Sequence, residues 1–334
     1  MQRFKLLCRM GLLPLLVLAI TGWLLPAAQA GEKQIVYLVS DARIPFWDIL
    51  KRGVESRANA LGYKVTVYSA ENNAKREMEL TAQAIKAKVD GIVLSPTNSS
   101  AAVTLLKLAK SAAIPVVIAD IGSDGGDYVS YIASDNHEGS YQIGKVLARA
   151  MQAGEGGKAG SVGRVGSVGI IAIPQKRTNG RARTAGFMKA MDEAGIKGAG
   201  IRQQVSFSYQ ETYDFARELI AANADLGALW LQGSDRYPAA LAAIADAGKK
   251  GQIHLVSFDA EPEFLQLIPR GTLVGAAMQQ PFLMGEKAVE TLHAHLMGRP
   301  VSKQILLPIL PVSTQNIAKM LPEIQRNVLG MKVK

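Results

Sequence analysis

Short β-branched runs alternate with amphipathic helical patterns along most of the chain. Residues 34–40 (QIVYLVS) read as a buried strand, and residues 46–61 as a helix with Phe46, Ile49, Leu50, Val54 and Leu61 on or near one face. The series runs on through strand 64–69, helix 76–88, strand 91–94, helix 99–111 and strands 115–119 and 128–133. After Asp135 it restarts, with helix 136–151, a glycine-rich surface loop at 154–166, strand 167–173, helix 178–194, strand 201–206 and helix 209–222. Strand 228–232, helix 238–247 and strand 253–258 complete the second series. Strand then helix, repeated, predicts parallel sheets with helices on both faces. Two similar open α/β units therefore stand in series.

The last part of the chain does not read as a third unit. Strand 273–278, helix 281–296 and the apolar run 304–312 read as the chain crossing back to complete the first lobe and then returning to the second. The predicted fold class is α/β, with two Rossmann-like, doubly wound parallel-sheet lobes joined by a three-strand hinge. The lobes are residues 31–133 with 280–308, and residues 135–278 with 310–334. Such a body holds its ligand between the lobes, at the carboxyl ends of the strands. Closure is expected about Ser134, Met278 and Pro308.

The first thirty residues carry a different pattern. Arg3, Lys5 and Arg9 precede an apolar stretch from Gly11 to Leu25, and Ala28 and Ala30 fit a small-x-small cleavage site, so residues 1–30 read as a cleaved secretory signal peptide. The apolar core is shorter than the roughly 20 residues of a spanning helix. Cleavage removes three of the 38 basic residues and none of the 28 acidic ones, leaving 35 against 28, or +7. It also removes Cys8, the only cysteine, so the mature chain has no disulfide, thiolate metal site or cysteine nucleophile. The expected location is the periplasm of a Gram-negative cell, and the expected state is a monomer.

Candidate chemistry follows from the strand ends. After the first strand come Ser40, Arg43, Phe46 and Trp47; two adjacent aromatics cannot share one helix face, so at least one is available to stack on a ligand. Asp120 follows the fourth strand and Asp259 the last strand of the second unit, equivalent positions of two facing sheets. Each carboxylate accepts two hydroxyl hydrogen bonds, so an opposed pair suits a small hydroxylated solute. Lys176, Arg177, Arg181 and Arg183 crowd a predicted helix N-terminus, where the dipole disfavours cations. Arg181 and Arg183 lie two apart and cannot both face one direction, so one faces the cleft and the other the surface or a lobe contact. The cluster also leaves room for an anionic ligand such as an acid sugar. Phe207 or Tyr209, Ser234 with Asp235, and Gln279 complete the set. Asp135 and Asn136 read as helix caps.

Several function classes are unsupported. The glycine-rich stretch precedes a strand, whereas a dinucleotide fingerprint follows one and opens a helix. No GxxxxGK[ST] occurs, and His293 and His295 are spaced wrongly to share a metal on a helix. No catalytic group set follows the strand ends, so the chain is not read as an enzyme. No cofactor is expected. The basic balance lacks interleaved aromatics, so nucleic acid is not an expected partner.

These residues carry a resemblance to the type I periplasmic binding proteins of the ribose- and galactose-binding group. It runs over essentially the whole mature chain, through IVYLVSDARIPFW, DGIVLSPTNSSA, IPVVIAD, YIASDNHEGSYQIG, RARTAGFMKAM, VSFDAEP and MQQPFLMGEKAVETL. The resemblance implies a venus-flytrap receptor that delivers a small solute to an ABC permease in the inner membrane; the alternative is a periplasmic ligand sensor partnering a membrane histidine kinase or chemoreceptor. It places Ser40, Phe46, Trp47, Asp120, Arg181, Asp259 and Gln279 at ligand-contacting positions, with Phe207 or Tyr209 as a stacking aromatic. Where the ribose-type pattern has a polar amide, an arginine and an asparagine, this chain has Ile44, Ile121 and Ser234. Ribose itself is therefore not the expected ligand; a deoxy sugar, another sugar class or a small non-sugar polar solute fits better.

Overall fold

The computed structural model describes residues 33–153 and 166–331. The first sheet is built from β1 (Gln34–Val39), β2 (Lys64–Ser69), β3 (Gly91–Ser95), β4 (Val116–Ala119), β5 (Ser130–Ser134) and a late strand, β11 (Gln304–Leu307). Its order is β11-β5-β4-β3-β1-β2, parallel throughout. Central strands such as β3 are buried at every position, as a sheet covered on both faces requires, while the edge strand β2 is half-buried. Helices α1 (Pro45–Ala60), α2 (Ala74–Lys86) and α3 (Ser99–Ser111) connect the strands. Tyr37 and Val39 pack on one face with Leu50 and Val54 of α1, and Val36 and Leu38 on the other with Leu105 and Leu106 of α3. This two-residue alternation turns one apolar run into two cores.

The second sheet repeats the plan. It contains β6 (Ser167–Ala172), β7 (Gly198–Gln203), β8 (Leu226–Leu231), β9 (His254–Phe258), β10 (Gly275–Met278) and β12 (Leu310–Ser313), in the order β12-β10-β9-β8-β6-β7. Only β12 runs antiparallel. Helices α4 (Asn136–Ala153) and α5 (Thr178–Glu193) cover one face; α6 (Tyr209–Ala222) and α7 (Tyr237–Asp246) cover the other. Phe187 of α5 stacks on Trp230 of β8 at 3.9 Å between ring centroids.

The chain changes sheets three times. It leaves β5 for α4, which packs on α5; it leaves β10 for α9 (Pro281–Leu296), which packs on α1; and it passes from β11 to β12. The apolar run 304–312 is thus two strands in different sheets, broken at Pro308, which has no N–H to donate to a ladder. Gln280 Nε2 donates to Pro308 O at 2.8 Å and ties two of the crossings together. Both helix exchanges depend on glycine. A Cβ on Gly53 of α1 would lie 2.1 Å from Phe282 O, and one on Gly186 of α5 would lie 2.0 Å from His137 O.

The expected elements differ from the observed ones in a few places. The strand read at 201–206 begins at Gly198, and Gly200 holds φ +128°, so glycines hide its start from a propensity reading. At its far end the Glu211 carboxylate accepts the amides of Val205, Ser206 and Phe207 and draws them out of the sheet. Short helices α8 (Phe264–Leu267) and α10 (Ile317–Glu323) were not expected; α10 contains Pro322. The expected signal peptide and nearly all of the glycine-rich loop lie outside the described residues. No helix among the described residues is long and apolar enough to cross a membrane.

Candidate functional site

The carboxyl ends of the two sheets face each other across one cavity. On the first-sheet side, α1 opens with Pro45, and its cap residue Ile44 is extended, so Ile44, Phe46 and Trp47 form a contiguous apolar wall. The two rings meet edge to face, 4.8 Å apart. Asp120 leaves β4 in the left-handed region, φ +66°, which aspartate tolerates better than most residues. Its backbone is fixed on both sides: the amide donates to Ile132 O at 2.9 Å, and Tyr131 Oη donates to its carbonyl at 2.7 Å. The carboxylate accepts from Asn179 Nδ2 at 2.9 Å through Oδ2, while the buried Oδ1 has no partner. Burial pushes this carboxyl up to about 6, against the pull of Arg183 and Arg177, with Asp259 adding to the rise.

The second-sheet side is far more polar. Asp259 leaves β9 at φ +67°, and its Oδ1 accepts from Gln279 Nε2 at 2.7 Å. Burial raises its pKa, with the Arg183 guanidinium, 3.6 Å from Oδ2, opposing the shift. Arg183 donates to Asn136 Oδ1 at 2.8 Å and Gln232 O at 2.6 Å, and its guanidinium lies 3.8 Å from the centroid of Phe258. Ser234 Oγ donates to Glu261 Oε1 at 2.7 Å, and burial pushes Glu261 up to about 7. Asp235 pairs with Arg236, which also donates to Phe207 O at 3.0 Å. Phe207 itself sits at φ +54°, held there by Glu211.

Direct bonds close the two sides on each other. Arg177, nearly fully buried, donates to Thr97 O and Asn72 Oδ1, each at 3.1 Å. Ser99 Oγ and Thr178 Oγ1 are 2.7 Å apart, and the Thr178 amide donates to Ser99 Oγ at 3.0 Å. Beneath Arg177, Glu77 accepts from the Thr97 amide and hydroxyl, both at 2.8 Å.

Of the sequence-derived candidates, Phe46, Trp47, Asp120, Phe207, Ser234, Asp235, Asp259 and Gln279 line this cavity. Four others do not. Ser40 is fully buried behind the wall, its hydroxyl without a partner. Arg43 folds back onto Asp41 at 2.8 Å and leaves 70% of its side chain exposed, because that carboxylate is only two residues away. Tyr209 is half exposed at the start of α6, so between the two aromatics it is Phe207 that faces the cavity. Arg181 is replaced by Arg183. Asn179 and Arg183 are four apart and share a helix face, whereas Arg181 turns outward to Asp124 and Gln175 O, at 3.2 and 3.1 Å.

Arg177, Asn179, Arg183, Gln232, Arg236 and Glu261 were missed as lining residues. Two of them belong to the cation cluster, whose local cost was the available signal. Ile121, by contrast, is in the core of the first sheet and leaves Ile44 as the apolar departure that reaches the cavity. Asp135 and Asn136 are outside it; Asp135 Oδ1 accepts from the Glu138 amide at 3.1 Å as a cap. His293 meets Tyr63 Oη at 2.9 Å, and no described group of three or more His, Cys, Asp or Glu could hold a metal ion.

Comparison with known proteins agrees with this architecture. The chain is 31% identical to the ribose import binding protein of Salmonella typhimurium over 82% of this chain and 89% of that one. In solved structures it is similar in fold to a carbohydrate transporter solute binding protein from Agrobacterium radiobacter in complex with D-arabinose (TM-score 0.78, 23% identity, 90% and 99% of the two chains covered). It is likewise similar to a Caulobacter myo-inositol binding protein bound to myo-inositol (TM-score 0.78, 20% identity, 87% and 96% covered). The family model described as periplasmic binding protein domain matches residues 35–300, and the chain belongs to that family.

Proposed function

We propose that this protein captures a small carbohydrate-like ligand between its two lobes and delivers it to an ABC importer. The observation that carries the reading is a cavity in which an aromatic wall, Phe46 and Trp47, faces carboxylates supplied from matching turns of both sheets. An apolar ring face and a hydroxyl edge are the two faces of a sugar, and the cavity offers a complement to each. A relative at 31% identity is named as a ribose import binding protein. The lining guanidiniums are already engaged within the protein, Arg177 with Thr97 O and Asn72, Arg183 with Asn136, Gln232 O and Asp259, and Arg236 with Asp235 and Phe207 O, which favours a neutral ligand over an acid sugar.

The mature chain begins at Gly31 after removal of the leader and works in the periplasm as a monomer, without cofactor or turnover. Its lobes are residues 31–133 with 280–308 and 135–278 with 310–334, and they close about the three crossings near Ser134, Met278 and Pro308. Native mass spectrometry of freshly purified protein tests the reading. A bound mass equal to a monosaccharide or polyol, released on denaturation, is expected; a bound solute of any other class contradicts it.

A further inference from the structure

Lobe 1 contributes little polar side-chain chemistry to the cavity. Its lining residues are Ile44, Phe46, Trp47 and Asp120, so beyond the Trp47 indole its only polar side chain there is one carboxylate. That carboxylate is half spent within the protein. Asn179, reaching over from lobe 2, donates to Asp120 Oδ2 at 2.9 Å, which leaves Oδ1, buried and without a partner, as its wholly unused oxygen. Gln279 Oε1 at the crossing is the other lining acceptor that is buried and unpartnered. Lobe 2, in contrast, presents Arg183, Ser234, Asp235 and Asp259 together.

A ligand that satisfies these walls is polar on one edge and carbon-rich on the other. A second hydroxyl turned toward lobe 1 would meet Ile44 and the aromatic rings and lose its hydrogen bonds to water without replacement. We infer that the ligand is a deoxygenated sugar, which turns a methyl or methylene toward Ile44, Phe46 and Trp47, gives one hydroxyl to Asp120, and gives the rest to lobe 2. The inference rests on the carbohydrate reading above and narrows it.

Titration calorimetry of the mature protein against matched pairs tests it: L-fucose with L-galactose, L-rhamnose with L-mannose, D-fucose with D-galactose, and 2-deoxy-D-ribose with D-ribose. In at least one pair the deoxy member is expected to bind about 10- to 100-fold more tightly, the range an apolar wall imposes on an added hydroxyl. If the fully hydroxylated member binds as tightly or better in every pair that binds, the inference is overturned while the carbohydrate reading stands. If no sugar binds, both fall. Ile44→Asn puts an amide into the wall and Asn179→Ala frees Asp120 Oδ2; each should narrow the preference about tenfold or more. A ratio unchanged in both variants overturns the claim that lobe 1 sets it.

Discussion

Asp120 and Asp259 occupy the same turn in the two lobes. Each follows the fourth strand of its sheet, at φ +66° and +67°, and each donates its amide to the neighbouring strand at 2.9 Å, to Ile132 O and Ala277 O respectively. Two strained turns, built alike, aim two carboxylates into one cavity. Asparagine tolerates the left-handed region and keeps the shape of the side chain while removing its charge. Asp120→Asn and Asp259→Asn should therefore each weaken ligand binding by about 10- to 100-fold, the cost of a charge-assisted hydrogen bond, with the native fold retained. Calorimetry with a parallel melting curve checks both parts.

This pairing was legible in the sequence because the strand pattern fixes where each sheet ends. The choice between Arg181 and Arg183 was not, since a periodicity reading gives their separation on the helix but not the helix's rotation about its axis. Rotation depends on tertiary contacts such as the approach of α5 to α4 at Gly186, where a Cβ would lie 2.0 Å from His137 O, and no local pattern contains them. Arg43 was misplaced for the opposite reason: a local ion pair with Asp41 overrode its position at a strand end.

Gly186→Ala should accordingly do more than destabilise. A methyl 2.0 Å from a backbone carbonyl must displace α5, costing about 1–3 kcal/mol, and α5 carries Asn179 and Arg183. A lower melting temperature together with weaker ligand binding is expected; a loss of stability with full affinity would show that α5 does not position the site.

Closure has a component that does not involve the cavity wall. Ser99 and Thr178 bond across the lobes without lining the cavity. Replacing Ser99 by Ala and Thr178 by Val should lower ligand affinity roughly 2- to 10-fold per lost bond, by making the closed state less favourable. Small-angle scattering should show a larger radius of gyration for the ligand-free variant than for the parent protein. Identical curves would contradict this.

Stability should fall between acidic and neutral pH at Glu77. Burial pushes its carboxyl from an ordinary 4.5 up to about 7, opposed by the two bonds from Thr97 and by Arg177. The unfolded chain releases this proton first, so the contribution is fully present below about 4.5 and is lost as pH rises toward 7. Asp120 and Glu261 shift in the same direction, so the diagnostic quantity is the difference between wild type and Glu77→Gln. Melting temperatures from pH 5 to 8 should decline less steeply in the variant.

Ligand affinity should show the reverse trend. Asp120, with its pKa at about 6, accepts a hydroxyl hydrogen bond more strongly when ionised, so affinity should drop as pH is lowered through 6. In Asp120→Asn that part of the pH dependence should disappear, as read by calorimetry at a series of pH values.

The central claim is that the cavity between the lobes is a sugar site held by its two opposed carboxylates. Titration calorimetry of the mature protein against a panel of monosaccharides, repeated with the Asp120→Asn/Asp259→Asn double variant, tests it most directly. The account predicts saturable one-to-one binding of at least one sugar by the parent protein and none by the folded double variant. Binding of equal strength in both proteins, or no binding by the parent, would contradict it.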